Sequence, residues 1–269
     1  MRAYILACAV FLSASPAWAD ARVTVLMDAL RVPDLVASIR QEGLADARHL
    51  NEDILSGQGG AFWQGQVDGL YNTSAMQDVL YVALLNGLEA TDLDEALLFF
   101  DSHQGQRIVE LEVAARKAMI DASVQDIASE AYNKLAAHDD PHAVLVAQFI
   151  EANDLLELNV AVTLSTSYQF QRGLSDGGLV KRSDNNILAD VWASEAEVRA
   201  AAQDWLFGYF LLAYQPLEIS DLEALLAFFQ RPAGKALNAA FFAGSEQMFT
   251  DIAYGLGRAV ALNAVGDDI

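Results

Sequence analysis

Apolar residues recur along this chain at helical rather than strand spacing, and one stretch of the pattern occurs twice. Leu93, Ala96, Leu97 and Phe100 fall at i, i+3, i+4 and i+7, and Leu222, Leu225, Leu226 and Phe229 repeat that spacing 129 positions later. Each set lines one face of a helix and predicts a core face. The same shift lays residues 88–100 over 217–229 without a gap, and carries Phe99 onto Phe228, Gly105 onto Gly234, Met119 onto Met248 and Trp63 onto Trp192. A chain that matches itself at a fixed offset is built of repeated units. The pattern therefore predicts an all-α protein of two repeated helical units, residues 20–138 and 139–269, packed as a pseudo-symmetric helical bundle.

Polar punctuation sets the expected boundaries. Thr91 followed by Asp94, and Ser220 followed by Glu223, predict matching helix starts, in which a hydroxyl accepts from an orphan backbone amide and the acid reaches back. The first helix then meets Ser102-His103-Gln104-Gly105, where Ser102 can cap the next helix. The second meets Arg231-Pro232-Ala233-Gly234, where Pro232 ends one helix and opens another at a sharp corner. Gly105 and Gly234 allow close approach there, and Phe99, Phe100, Phe228 and Phe229 are the expected packing anchors. Long helices are predicted over 105–137 and 234–265, with Asp139-Asp140-Pro141 as the border between the units. Pro33 is expected to open the first helix of the exported chain, over 32–50. Loops are predicted at 56–60 and, at greater length, from Gly173 to Asn186. Residues 205–214 are apolar on every side and predict a helix buried between the halves, with a membrane-inserting or partner-binding segment as the alternative.

The N-terminus alters the picture of where this protein works. Arg2, the apolar run from Tyr4 to Leu12 and Ala17-Trp18-Ala19 fit a signal peptide over residues 1–19, cleaved before Asp20. The expected location is periplasmic or secreted. That apolar run is shorter than the roughly 20 residues of a membrane-spanning helix, so no stable membrane anchor is expected after cleavage. Residues 5–8 resemble a lipid-attachment box superficially, with too little sequence ahead of Cys8. Cys8 is the only cysteine, so the mature chain is expected to hold itself together by packing alone. The precursor has 16 Lys plus Arg against 37 Asp plus Glu, a formal charge of -21. A body of that charge repels phosphate backbones and argues against nucleic-acid binding, while leaving open a cationic partner.

The run Phe228-Phe229-Gln230-Arg231-Pro232-Ala233-Gly234-Lys235, preceded by residues 220–226, resembles the signature of a family of exported bacterial helical proteins. That family is classed as a domain of unknown function, "DUF twenty fifty-nine". The first copy, Phe99-Phe100-Asp101-Ser102-His103-Gln104-Gly105-Gln106, keeps the aromatic pair and the glycine but has His103 in place of the proline. The resemblance implies an all-helical fold and an exported location, and it brings structural roles but no reaction.

Candidate chemistry is sparse. His138 and His142 stand four apart beside Asp139 and Asp140, a spacing that could ligate zinc on a helix, but Pro141 favours a solvated turn. His49 and His103 are isolated, no nucleophile elbow surrounds Ser165 or Ser167, and the glycines at 57, 59 and 60 lack the residues of a phosphate cradle. Asp92-Leu93-Asp94-Glu95 and Asp184-Asn185-Asn186 lack the spacing of a calcium loop. No catalytic, metal or cofactor residue is assigned. The expected role is a non-catalytic binding or interaction protein, taking an unknown protein or a small apolar ligand where the two units meet. A periplasmic hydrolase and an envelope structural factor are the alternatives.

Overall fold

A computed structural model describes the backbone of residues 16–265 and the side chains of residues 21–264. The basic start, the apolar run and Cys8 of the expected signal peptide lie outside the described residues. The proposed cleavage point before Asp20 falls inside the first described helix, α1 (Pro16–Ala29).

The protein is all-α, with no strand among the described residues. After α1 come α2 (Val32–Asp53), α3 (Gly60–Leu70), α4 (Thr73–Gly87), α5 (Ala90–Phe100), α6 (His103–Ala118) and α7 (Ala122–Ala136). The second half contains α8 (Pro141–Ala152), α9 (Leu155–Asp176), α10 (Asp184–Ala193), α11 (Glu195–Tyr214), α12 (Ile219–Phe229) and α13 (Pro232–Val265). The bounds of α5 and α12 differ by 129 at both ends, and so do the starts of α6 and α13.

Several local expectations need correction. Pro33 opens α2 and not the first helix of an exported chain, because α1 precedes it and the two are separated by Arg31 in a left-handed conformation (φ 51). The N-caps of α5 and α12 are Glu89 and Glu218, so Thr91 and Ser220 already lie in the first turn. At α5 the backbone N–H of Glu89 donates to Asp92 Oδ2 at 3.1 Å, which makes Asp92, and not Asp94, the acid that closes the cap. The long helix expected over 105–137 is interrupted at residues 119–121, where Asp121 caps α7 by accepting from Ser123 N at 2.9 Å. Its counterpart α13 runs unbroken for 34 residues, about 50 Å at 1.5 Å per residue. The expected loop at 173–186 is shorter at both ends, because α9 continues to Asp176 and α10 begins at Asp184. Ser175 holds that loop closed by donating to the Arg182 carbonyl at 3.0 Å.

The corners behave as their residues dictate. Ser102 Oγ accepts from Gly105 N at 3.0 Å at the start of α6, and α13 opens on Pro232. A Cβ on Gly105 would stand 2.2 Å from the Phe99 carbonyl oxygen, and one on Gly234 would stand 2.3 Å from that of Phe228. No side chain fits at that distance, so glycine lets each helix double back tightly against its predecessor.

Two large cores result, beside a small third cluster of Val160, Leu164, Ile187 and Val191 between α9 and α10, and the helices that complete the two large ones are exchanged. The first gathers α1 to α5 and takes Leu237, Ala240, Met248, Ile252 and Leu256 from α13. The second gathers α8, α11 and α12 and takes Ile108 and Ala115 from α6. The sequence border at Asp139 thus does not separate two independent cores. Phe99 and Phe229 pack against both, in a quartet where Phe99 stacks on Phe228 at 4.7 Å and Phe100 meets Phe228 edge-on at 5.3 Å. Trp63 is buried whereas Trp192 is 68 % exposed, so these two matched tryptophans do different jobs.

Candidate functional site: a cavity between the two cores

The exchange of α6 and α13 brings both helices to the wall of a cavity of about 310 Å³. Residues from α2, α5 and α6 of the first half and from α8, α9, α11, α12 and α13 of the second line it. Its surface is dominated by rings, among them Phe100, Phe149, Phe210, Phe229, Phe241 and Phe242. Phe100 and Phe229, the second phenylalanine of each repeated pair, are therefore wall residues of the site. Phe99 and Phe228 stack on each other and meet Phe100 and Phe229 edge-on at 5.1 and 5.2 Å, and the glycine corners fix where the two pairs stand.

One wall is not apolar. Glu112 of α6 accepts a hydrogen bond from Tyr214 Oη at 2.5 Å, and Tyr209 Oη donates to the Glu112 carbonyl at 3.2 Å. Among the described residues no basic side chain is a cause of the shift in the Glu112 carboxyl pKa, and Tyr214 is its hydrogen-bond partner. Although part of the residue reaches the surface, loss of solvation pushes the carboxyl pKa up to about 7, against the lowering effect of the Tyr214 hydrogen bond. Burial, reinforced by Glu112, raises the Tyr209 and Tyr214 hydroxyls as well, so both are protonated donors.

Arg116 lies one turn further along α6. Its Nη2 donates to Glu42 Oε2 at 2.7 Å, its guanidinium carbon lies 6.0 Å from the centre of the Trp205 ring, and its Nε is buried without a hydrogen-bond partner. An unmade hydrogen bond at a buried charged donor costs about 1–3 kcal/mol or more. Three other polar side chains of the wall donate to backbone carbonyls: Ser38 to Asp34 at 3.1 Å, Asn159 to Leu155 at 2.7 Å, and Asn238 to Asn153 at 3.1 Å.

No family model, curated protein or solved structure matches this chain.

The residues singled out from the sequence as possible chemistry do not meet at this cavity. His103 and His138 are exposed, and His138, in the turn after α7, bonds through Nδ1 to the Lys134 carbonyl in the last turn of that helix at 2.9 Å. His142 Nε2 bonds the Leu217 carbonyl at 2.9 Å, which ties α8 to the segment before α12. His49 lies 3.9 Å from Glu52 on the surface. Among the described residues no three His, Cys, Asp or Glu side chains gather as metal ligands.

The residues that do meet there, Glu112, Arg116 and Tyr209, carry a signal that the periodicity reading passes over. Gly105, Ile108, Val109 and Ala115 are the buried positions of α6, and Glu112 and Arg116 continue that inward spacing as charged residues. The 129-residue shift places Glu112 on Phe241 and Arg116 on Ser245, both uncharged.

A second concavity, an open groove of about 610 Å³ between α2 and α3, is larger but chemically quiet. Arg40 there is already bonded to Asp68 Oδ1 at 2.5 Å and to the Tyr71 carbonyl at 2.7 Å, and Asn51 Oδ1 accepts from Gly59 N at 2.9 Å.

Proposed function

We propose that this protein is an exported, non-catalytic binding protein that holds a small apolar molecule in the cavity between its two repeated halves. The observation that carries this reading is the cavity itself, lined by phenylalanines from both halves and provided with a few polar groups at one wall. Its volume of about 310 Å³ falls at the lower end of the ~300–1,000 Å³ typical of small-molecule sites. The helix of residues 205–214 supports it over an envelope structural role. Leu206, Leu211, Ala213 and Tyr214 are buried, none of the ten residues is exposed, and among the described residues no helix is long and apolar enough to cross a membrane. A hydrolase finds less support, since no histidine lines the cavity. Membership of the "DUF twenty fifty-nine" family and export of the chain belong to the same proposal, and rest on the two motif copies and the N-terminal sequence.

The direct test is native mass spectrometry of the protein purified from its own source, compared with its denatured mass. A stoichiometric excess mass that disappears on denaturation is the expected result. A bare mass, together with failure of the neutral probe N-phenyl-1-naphthylamine to gain fluorescence on titration, removes the reading.

A further inference from the structure

Resting on the reading of the cavity as a binding site, we propose that its ligand is an organic cation, an apolar amine whose ammonium group sits on the Glu112 carboxylate while its hydrocarbon part packs among the phenylalanines. Three features of the wall select this class.

The first is a carboxyl group that the protein leaves without a counter-charge. Glu112 lines the cavity and is partly accessible. Tyr214 bonds Oε1 at 2.5 Å and is the hydrogen-bond partner of this carboxyl group. Oε2 is not among the buried side-chain atoms that lack a partner, which in the described residues are Arg116 Nε and Thr166 Oγ1. It therefore reaches open space at the wall. A carboxylate withdrawn from water is costly until a cation joins it. Arg116, one turn along α6, does not fill that role, because its guanidinium pairs with Glu42 at 2.7 Å.

The second feature is the ring lining beside that carboxyl group. Phe149 and Phe210, both in the wall, pack on the Tyr214 ring at 5.7 and 5.4 Å. Tyr209, which donates to the Glu112 carbonyl, meets Phe210 edge-on at 4.9 Å. The faces of such rings are negative, so they attract an ammonium group, most strongly where water is excluded, and repel a carboxylate. The 129-residue shift pairs Glu112 with Phe241, and both line this cavity. One repeated position thus supplies a charge from the first half and a π face from the second.

The third is size and polarity. The space equals about ten waters at ~30 Å³ each, room for an amine of about eight to ten carbon atoms. Most of the wall away from Glu112 and Arg116 is apolar and suits a hydrocarbon tail. An acid of the same length would meet Glu112 as a like charge and find the Arg116 guanidinium already neutralised. An alcohol would leave the Glu112 charge uncompensated. The formal charge of -21 also enriches cations around the whole molecule.

Binding of such a ligand is coupled to a proton. The charged and titratable groups around the Glu112 carboxyl are Arg116 on its own helix, Glu42 of α2 beyond it, and Tyr209 and Tyr214 of α11. Burial keeps both tyrosines protonated, and a guanidinium does not titrate in proteins. Glu112, its pKa pushed up to about 7, is therefore the wall residue that changes charge between pH 6 and 8. An ammonium beside it draws that pKa down again, so the ligand expels the proton and binds more tightly as pH rises.

The test is calorimetric titration of the purified protein with octylamine, 1-octanol and octanoate at pH 6 and pH 8, where the amine remains cationic. At pH 8 octylamine is expected to bind at least tenfold more tightly than the alcohol, with the acid weakest. Its affinity should fall about tenfold at pH 6, where buffers of different ionisation enthalpy should report release of close to one proton per ligand. Glu112→Gln, with circular dichroism confirming its fold, should bring octylamine to the level of the alcohol and abolish the pH dependence. Equal binding of amine and alcohol, preference for the acid, absence of proton release, or an unchanged amine affinity in Glu112→Gln overturns the ammonium assignment and leaves the cavity reading standing. Failure of all three probes to bind overturns both.

Discussion

A carboxyl group taken out of water holds its proton more tightly, and the sign of that effect can be measured at Glu112. Its folded pKa of about 7 exceeds the ordinary 4.5, so the folded state binds the proton that the unfolded chain has already released. Stability from this group is therefore present below about pH 4.5 and is lost as pH rises through 7. Glu112→Gln is expected to raise Tm by several degrees at pH 8, where the wild-type carboxylate is charged, and to leave it nearly unchanged at pH 5. Scanning calorimetry at the two pH values checks this, and an equal shift at both would show that Glu112 does not titrate in that window. Gly105→Val makes the opposite kind of residue-scale test. With the Phe99 carbonyl oxygen 2.2 Å from the new Cβ, the corner must open, at a cost of ~1–3 kcal/mol. For a chain of this size that lowers Tm by ~2–4 °C per kcal/mol, and Gly234→Val should match it. The aromatic pairs and glycines could be read from the sequence because each acts on its immediate neighbours. Glu112 and Arg116 could not, because their meaning depends on α11 folding back across α6.

At the level of the element, the two copies differ in how their corner is made. Ser102 caps α6 through its hydroxyl, whereas the matching position is Arg231 and the following residue is Pro232, which needs no amide partner at a helix start. Ser102→Ala is expected to cost about 1 kcal/mol, visible as a lower urea midpoint with an unchanged slope. Arg231→Ala should have a smaller effect. Helix existence and the apolar faces of α5 and α12 were legible from spacing alone, since Leu93, Ala96, Leu222 and Leu225 are all buried as their period requires. Boundaries were less legible. Thr91 and Ser220 look like caps, yet Glu89 and Glu218 precede them in extended conformation and the helices start there. The break at residues 119–121 was hidden because Asp121 and Ser123 compete locally with an otherwise helical composition. Close helix crossings were also invisible: a Cβ on Gly257 of α13 would lie 2.1 Å from the Phe170 carbonyl oxygen of α9, so the two backbones nearly touch there.

At the scale of the whole molecule, helices from each half of the chain complete the core of the other. The first core lacks part of its wall without α13 and the second without α6. Residues 20–138 and 139–269 produced separately are therefore expected to show helical far-ultraviolet dichroism but no cooperative melting, and to regain it when mixed. Cooperative melting of either fragment alone would mean that its core closes without the exchanged helix. The same exchange sets a timetable for a chain made from its N-terminus. The face of α4 that α13 covers waits while everything from α5 to α12 is synthesised, and at ~5–20 residues per second that interval is on the order of ten seconds. Throughout it the nascent protein presents an uncovered greasy stripe, which only the emergence of α13 closes.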